Sequence, residues 1–220
     1  MIRARPAAIL FDMDGLLLDT ERLVRAAMTA ELAALGHDFS ADRFAELIGE
    51  PADTNRLRVL GWYGGAVDPE ALRAGVGQRI AAEWGKARPL KPGVAEVIAV
   101  ARAQGLALAV ATSTGRADAH SHLAHSGLAD HFDAIITRDD VARGKPFPDL
   151  YLAAARQLGV PAAQALALED SHSGVRSAHA AGVPVIMVPD LLPATPEIAA
   201  LALAVADDLH QVGRWLAAAG

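Results

Sequence analysis

Two carboxylates two residues apart, Asp12 and Asp14, follow directly on five apolar residues, Ala7 to Phe11. A buried strand that delivers ionised side chains is costly unless the charges are paired or bind a cation. The pair is therefore expected at the open C-terminal edge of a sheet, where open α/β folds carry their sites. Strand side chains alternate, so the two acids share a face if the strand continues and can diverge if the chain turns at Gly15. Alone, the segment reads equally well as a strand end followed by an Asp-Gly turn.

Three more segments place polar chemistry at comparable points. Leu106 to Ala111 runs into Thr112-Ser113-Thr114-Gly115, whose hydroxyls and backbone N–H groups open a helix. That arrangement suits an anion, although Ser and Thr also serve as plain N-caps. Gly144-Lys145-Pro146 sets one of only three lysines, against 17 arginines, ahead of a helix. A lysine there suggests a compact charge on phosphate. Ala165 to Leu168 ends in Glu169-Asp170-Ser171, a second acidic cluster or a second cap. Two acidic clusters can hold a hard, oxygen-seeking cation such as Mg²⁺, and the hydroxyls and lysine can surround a phosphate.

These segments need a scaffold that brings strand ends to one edge. Strand-like runs at 106–111, 133–137, 165–168 and 183–188 alternate with helical patterns over 116–126, 149–158 and 174–181. Such alternation predicts a parallel sheet with right-handed crossovers, an α/β doubly wound fold. Residues from about 17 to 88 show helical periodicity and almost no strand signal. The expected organisation is a core of 1–16 and 89–220 with an inserted α-helical domain of 17–88.

Composition narrows the function classes. The chain has 220 residues, a net charge of −6 and no cysteine. Its pI is near 5.7. These values argue against a nucleic-acid partner, a disulfide framework, a thiolate nucleophile and a cysteine zinc site. No apolar run approaches the length of a membrane span, and Asp12 cuts short any signal-like start. A soluble, cytoplasmic protein is the expectation, and nothing in the sequence fixes its oligomeric state, a monomer included. Gly-x-Ser-x-Gly does not occur, so serine hydrolysis has no support.

The ordered set Asp12-Met13-Asp14-Gly15, Thr112-Ser113, Lys145-Pro146 and Glu169-Asp170-Ser171-His172-Ser173-Gly174 resembles the haloacid dehalogenase superfamily. The closest likeness is to its phosphatase and β-phosphoglucomutase-like branch, and it spans essentially the whole chain. The resemblance implies a Rossmann-like core, a cap inserted between the first and second motifs, an active site between them and access gated by cap motion. It implies Asp12 as the nucleophile and Asp14 as the acid and base. Thr112, Ser113 and Lys145 would bind the phosphoryl group. Mg²⁺ would be held by Asp12, the Asp14 carbonyl and Asp170, with Glu169 as a ligand or just behind the ligands. The substrate would be a small phosphorylated metabolite, a sugar phosphate or a phosphoglycolate-like acid.

Departures from relatives separate the reactions. Asp14 disfavours dehalogenation, and the absence of lysine in the insertion before Lys86 disfavours Schiff-base chemistry. Val24 and Ala52 stand where mutases carry a histidine and an arginine, which favours water as acceptor, with a phosphosugar mutase as the alternative. A non-catalytic binding protein on the same scaffold is the reading from another class. Gly49-Glu50-Pro51 is expected to face the site, and Arg116 either touches substrate or sits in a helix's first turn. Trp62-Tyr63 reads as packing, and His172 as a neighbour of the metal site or a bystander. His122 and His125 share a helical face that His120 does not, and the group reads as solvated surface rather than a zinc site.

Overall fold

The computed structural model describes residues 5–48, 50, 52–83 and 90–219. Strands β1 (Ala8–Phe11), β2 (Ala107–Ala111), β3 (Ala134–Ile136), β4 (Ala165–Glu169), β5 (Val185–Met187) and β6 (Ala204–Val205) form one sheet in the order β3-β2-β1-β4-β5-β6. Every pairing in it is parallel. The expected α/β doubly wound, Rossmann-like core is present. Helices α1 (Thr20–Ala34), α2 (Ala41–Ala45), α3 (Ala52–Tyr63) and α4 (Pro69–Glu83) lie between β1 and β2. Helices α5 (Val94–Ala103), α6 (Arg116–His125), α7 (Asp149–Gln157), α8 (His172–Ala180), α9 (Pro196–Leu201) and α10 (Leu209–Ala219) accompany the sheet.

The central strands pair so that like side chains line up. Ile9, Leu108 and Leu166 share a row, as do Phe11, Val110 and Leu168, and these belong to one buried cluster with α5 and α10. Ala8, Ala107 and Ala165 share a row of the other face, as do Leu10, Ala109 and Ala167. That alanine-rich face packs against α7 and α8 through Leu150, Tyr151, Ala154, Val175 and Ala178. Small residues on this face let the two helices approach closely, which brings the loop before α7 to the edge of the sheet.

The inserted helices build a separate cluster of Met28, Leu32, Phe44, Leu47, Val59, Leu72 and Val76, with Trp62 and Tyr63 packed against it. Leu17 and Leu18 belong instead to the core cluster below the sheet edge. Position 88/89, where the sequence pattern returns to the core, lies outside the described residues, as do Trp84 and Lys86. Four charged groups gather where the chain crosses between the layers. Lys91 Nζ stands 2.6 Å from Asp190 Oδ1 and 3.9 Å from Asp19, while Arg22 reaches Asp19 at 2.9 Å and Asp190 at 3.5 Å.

Candidate active site

Backbone geometry at the end of β1 decides how the first acidic pair is used. Asp12 N donates to the Leu168 carbonyl, which continues the β1–β4 ladder by one residue. The chain then turns: Leu17 N and Leu18 N both donate to the Met13 carbonyl, and Gly15 adopts φ +85°. A Cβ on Gly15 would lie 2.2 Å from Asp170 Oδ2, so this turn needs glycine for conformation and for space. Asp12 and Asp14 accordingly part company. Asp14 Oδ1 accepts from Thr20 Oγ1 at 2.9 Å, and its Oδ2 accepts from Thr114 Oγ1 at 2.6 Å.

Asp12 and Glu169 follow register partners Phe11 and Leu168, so they end neighbouring strands on the alanine-rich face. Lys145, from the loop before α7, donates to Asp12 Oδ1 and to Glu169 Oε1, the latter at 2.5 Å. Glu169 Oε1 also accepts from Tyr151 Oη at 2.7 Å. Its Oε2 accepts from Asp170 N, Ser171 N and Ser171 Oγ at 3.1, 3.1 and 3.0 Å. Five donors fill a carboxylate's capacity of about four lone pairs. Glu169 therefore braces Lys145 and the start of α8. Gly174 is small for the same reason, because a Cβ there would lie 1.8 Å from Glu169 Oε1.

The ligand atoms of Asp12, Glu169 and Asp170 lie within 4.8 Å of one another, and all three residues are buried. Asp170 Oδ1 is a buried oxygen with no hydrogen-bond partner. An orphaned carboxylate oxygen beside a second buried carboxylate suits a divalent cation, since buried charge needs compensation. Burial drives Asp170 well above the ordinary carboxylate range, with Asp12 and Glu169 adding to the effect. Burial also raises Asp12 to about 7 against the pull of Lys145. For Lys145, burial favours the neutral amine, but the Asp12 and Glu169 carboxylates outweigh it and hold the ammonium above its usual range.

A cavity of about 890 Å³ opens over this edge and reaches into the inserted helices. Asp12, Asp14, Thr112, Ser113, Lys145 and Asp170 line it from the core, and Glu21, Val24, Glu50 and Arg56 from the insertion. Thr112 is buried, and its Oγ1 accepts from Thr114 N at 3.0 Å. Burial, then the charges of Asp14, Asp190 and Asp12, push Glu21 up to about 8.

Raised carboxylates give the metal-free protein a pH dependence of definite sign. The ordinary values are 3.8 for Asp12 and 4.5 for Glu21, and the folded values are about 7 and about 8. Each group binds its proton more tightly when folded. Its contribution is complete below the ordinary value and is lost as pH climbs through the folded one. Thermal midpoints measured with chelator should fall from about pH 5 to about pH 8.5, and fall less in Asp12→Asn. A wild-type midpoint that stays level across that range would refute the sign.

Several expectations need correction. Arg116 does not line the cavity: its guanidinium pairs with Asp140, and its backbone N donates to Asp139 Oδ2 at 2.8 Å. The first-turn reading of Arg116 is the one the geometry supports. His122 is buried in the cavity wall rather than solvated, whereas His120 and His125 are solvent-exposed as expected, His125 at the lining of the same cavity. His172 Nε2 lies 2.9 Å from the Pro193 carbonyl oxygen, turned to that loop. Gly49 and Pro51 lie outside the described residues, as does the side chain of Ala52, whereas Glu50 lines the cavity 3.9 Å from Arg58.

Sequence reasoning missed Thr20 and Glu21, which hold or face the acidic pair, the bond from Thr114 to Asp14, and Tyr151, which holds Glu169. A tyrosine in the otherwise alanine- and leucine-rich segment Leu150 to Ala155 was the available signal for the last of these.

Residues 9–188 match the family model described as haloacid dehalogenase-like hydrolase. The chain is 36% identical over 200 residues to protein CbbY of Rhodobacter capsulatus, covering 83% of this chain and 85% of the relative. It is 35% identical over 190 residues to hexitol phosphatase B of Escherichia coli K12, covering 83% of each. A crystal structure of a CbbY variant from Rhodobacter sphaeroides, in complex with xylulose-(1,5)bisphosphate, superposes with a TM-score of 0.78 at 32% identity. That match covers 94% of this chain and 96% of the other.

Proposed function

We propose, from the premise that the chain belongs to the haloacid dehalogenase-like hydrolase family, that it is a Mg²⁺-dependent phosphatase of small sugar phosphates. The observation that carries the reading is the buried Lys145 bonded to Asp12, in one cavity wall with Asp170 and Thr112. A phosphate seated there would meet a cation, a hydroxyl and the backbone N–H groups near Met13 and Ser113. The name of hexitol phosphatase B, together with the xylulose-(1,5)bisphosphate bound to the CbbY variant from Rhodobacter sphaeroides, supports a phosphorylated carbohydrate as substrate.

In the proposed reaction an Asp12 oxygen attacks phosphorus while the ester P–O bond breaks, leaving an aspartyl-phosphate. Asp14 gives its proton to the departing alkoxide and then takes one from the water that cleaves the intermediate. Lys145 holds Asp12 in place and adds charge at the phosphoryl oxygens. Asp12, Asp170 and the Asp14 carbonyl would hold Mg²⁺, which supplies positive charge against the phosphoryl group. Val24 in the cavity wall, where a mutase would carry histidine, supports water as the acceptor.

A panel of phosphorylated metabolites assayed with Mg²⁺ and with chelator tests this reading. Free phosphate should appear from sugar phosphates only with Mg²⁺, with kcat/KM ranking the leaving groups. Equal rates in chelator would reject the metal. Transfer of the phosphoryl group to a second sugar carbon, without free phosphate, would favour the mutase.

A further inference from the structure

We infer that the cavity face of α6 is a rail for the hydroxyl groups of the substrate's carbon chain, a reading that rests on the proposed phosphatase reaction and deepens it. Asp118, Ser121, His122 and His125 follow the spacing i, i+3, i+4, i+7, which sets four side chains in one stripe of a helix. All four line the cavity that holds Asp12 and Lys145. The helix starts directly after Thr112–Gly115, the segment proposed to bind the phosphoryl group. From Asp118 to His125 the stripe spans about 10.5 Å at 1.5 Å per residue. A substrate anchored by its phosphate thus has polar groups available along the chain that leaves it.

The chemistry of the stripe fits hydroxyls better than a second anion. His125 Nδ1 lies 2.7 Å from the Ser121 carbonyl oxygen. A carbonyl only accepts, so Nδ1 carries a proton and Nε2 is the ring atom left to meet a ligand. Ser121 Oγ can donate or accept, and the Asp118 carboxylate accepts. No lysine or arginine belongs to the stripe, and Asp118 would repel a phosphate or carboxylate placed there. Nor does the stripe form a metal centre: among the described residues the acids and histidines that converge on one point are Asp12, Glu169 and Asp170. Donors and acceptors set along one wall of an otherwise partly apolar cavity are the usual means of orienting a polar ligand.

The test compares sorbitol 6-phosphate, which carries a hydroxyl on every carbon but the phosphorylated one, with p-nitrophenyl phosphate, whose leaving group has none along a carbon chain. In an Asp118→Ala/His125→Ala variant the ratio of kcat/KM for the two compounds should fall at least about tenfold, through KM for the polyol. His120→Ala, on the other side of the same helix, should keep the wild-type ratio. A ratio in the double variant within about twofold of wild type overturns the rail. Calorimetric binding of sorbitol 6-phosphate to Asp12→Asn, with and without the two α6 substitutions, separates the rail from the reaction. Loss of about tenfold in affinity supports the rail even if the wild type proves to hydrolyse nothing, whereas equal affinities, or no binding, overturn it.

Discussion

Asp12→Asn is expected to lower hydrolysis of every phosphomonoester by about 10⁴-fold or more, while the metal-free protein becomes no less stable. The amide keeps the shape of the side chain but has no nucleophilic oxygen. It also resembles the protonated carboxyl that burial favours at this position, where the folded value stands near 7. Activity and stability therefore move apart. Near pH 8 in chelator the variant's thermal midpoint should equal or exceed that of the wild type. Initial rates on p-nitrophenyl phosphate and a melting curve measure the two arms. Residual Mg²⁺-dependent turnover within about 100-fold of wild type would end the aspartyl-phosphate mechanism.

Lys145→Met should do the opposite to stability. Removing the ammonium leaves Asp12 and Glu169 buried without the cation they share. Breaking such a pair by deleting one partner costs about 3 to 5 kcal/mol. For a chain of this size that corresponds to a fall in thermal midpoint of about 10 °C in chelator. Turnover should fall about 10²-fold or more, as for loss of one preorganised donor at a developing charge. Added Mg²⁺ should restore part of the midpoint, by neutralising Asp12 and Asp170, and little of the rate. A variant with the wild-type midpoint in chelator would show that Lys145 is not the counter-ion of this cluster.

Much of this site was legible because strand ends announce themselves in sequence. The apolar runs before Asp12, Thr112 and Glu169 mark buried parallel strands, and a parallel sheet brings their C-terminal ends to one edge. The register that makes Asp12 and Glu169 neighbours was not legible, because nothing local tells β1 that its partners are β2 and β4. The same limit hid Thr114, which bonds Asp14 across 100 positions of chain. His122 shows a different limit: helical spacing says that it shares a face with His125 but not whether that face meets solvent or a cavity. At the C-terminal end, the unbroken apolar run from Ile198 to Ala206 blurred the end of α9 into the two-residue strand β6. Residues 209–219 joined the fold only through packing of Leu209, Val212 and Leu216 in the core cluster of α5.

Asp14 is fastened at both ends to different parts of the molecule. Thr114 stands on the core edge, and Thr20 is the first residue of α1, the helix that leads into the insertion. One carboxylate thus registers the separation of the two layers as a hydrogen-bond length. A rotation that draws α1 off the sheet edge removes a donor from Asp14 and loosens it. A rotation back locks it again. In the proposed reaction, where Asp14 moves the proton, that linkage would act as an escapement: the acid is held from both sides only while α1 stays drawn to the sheet edge.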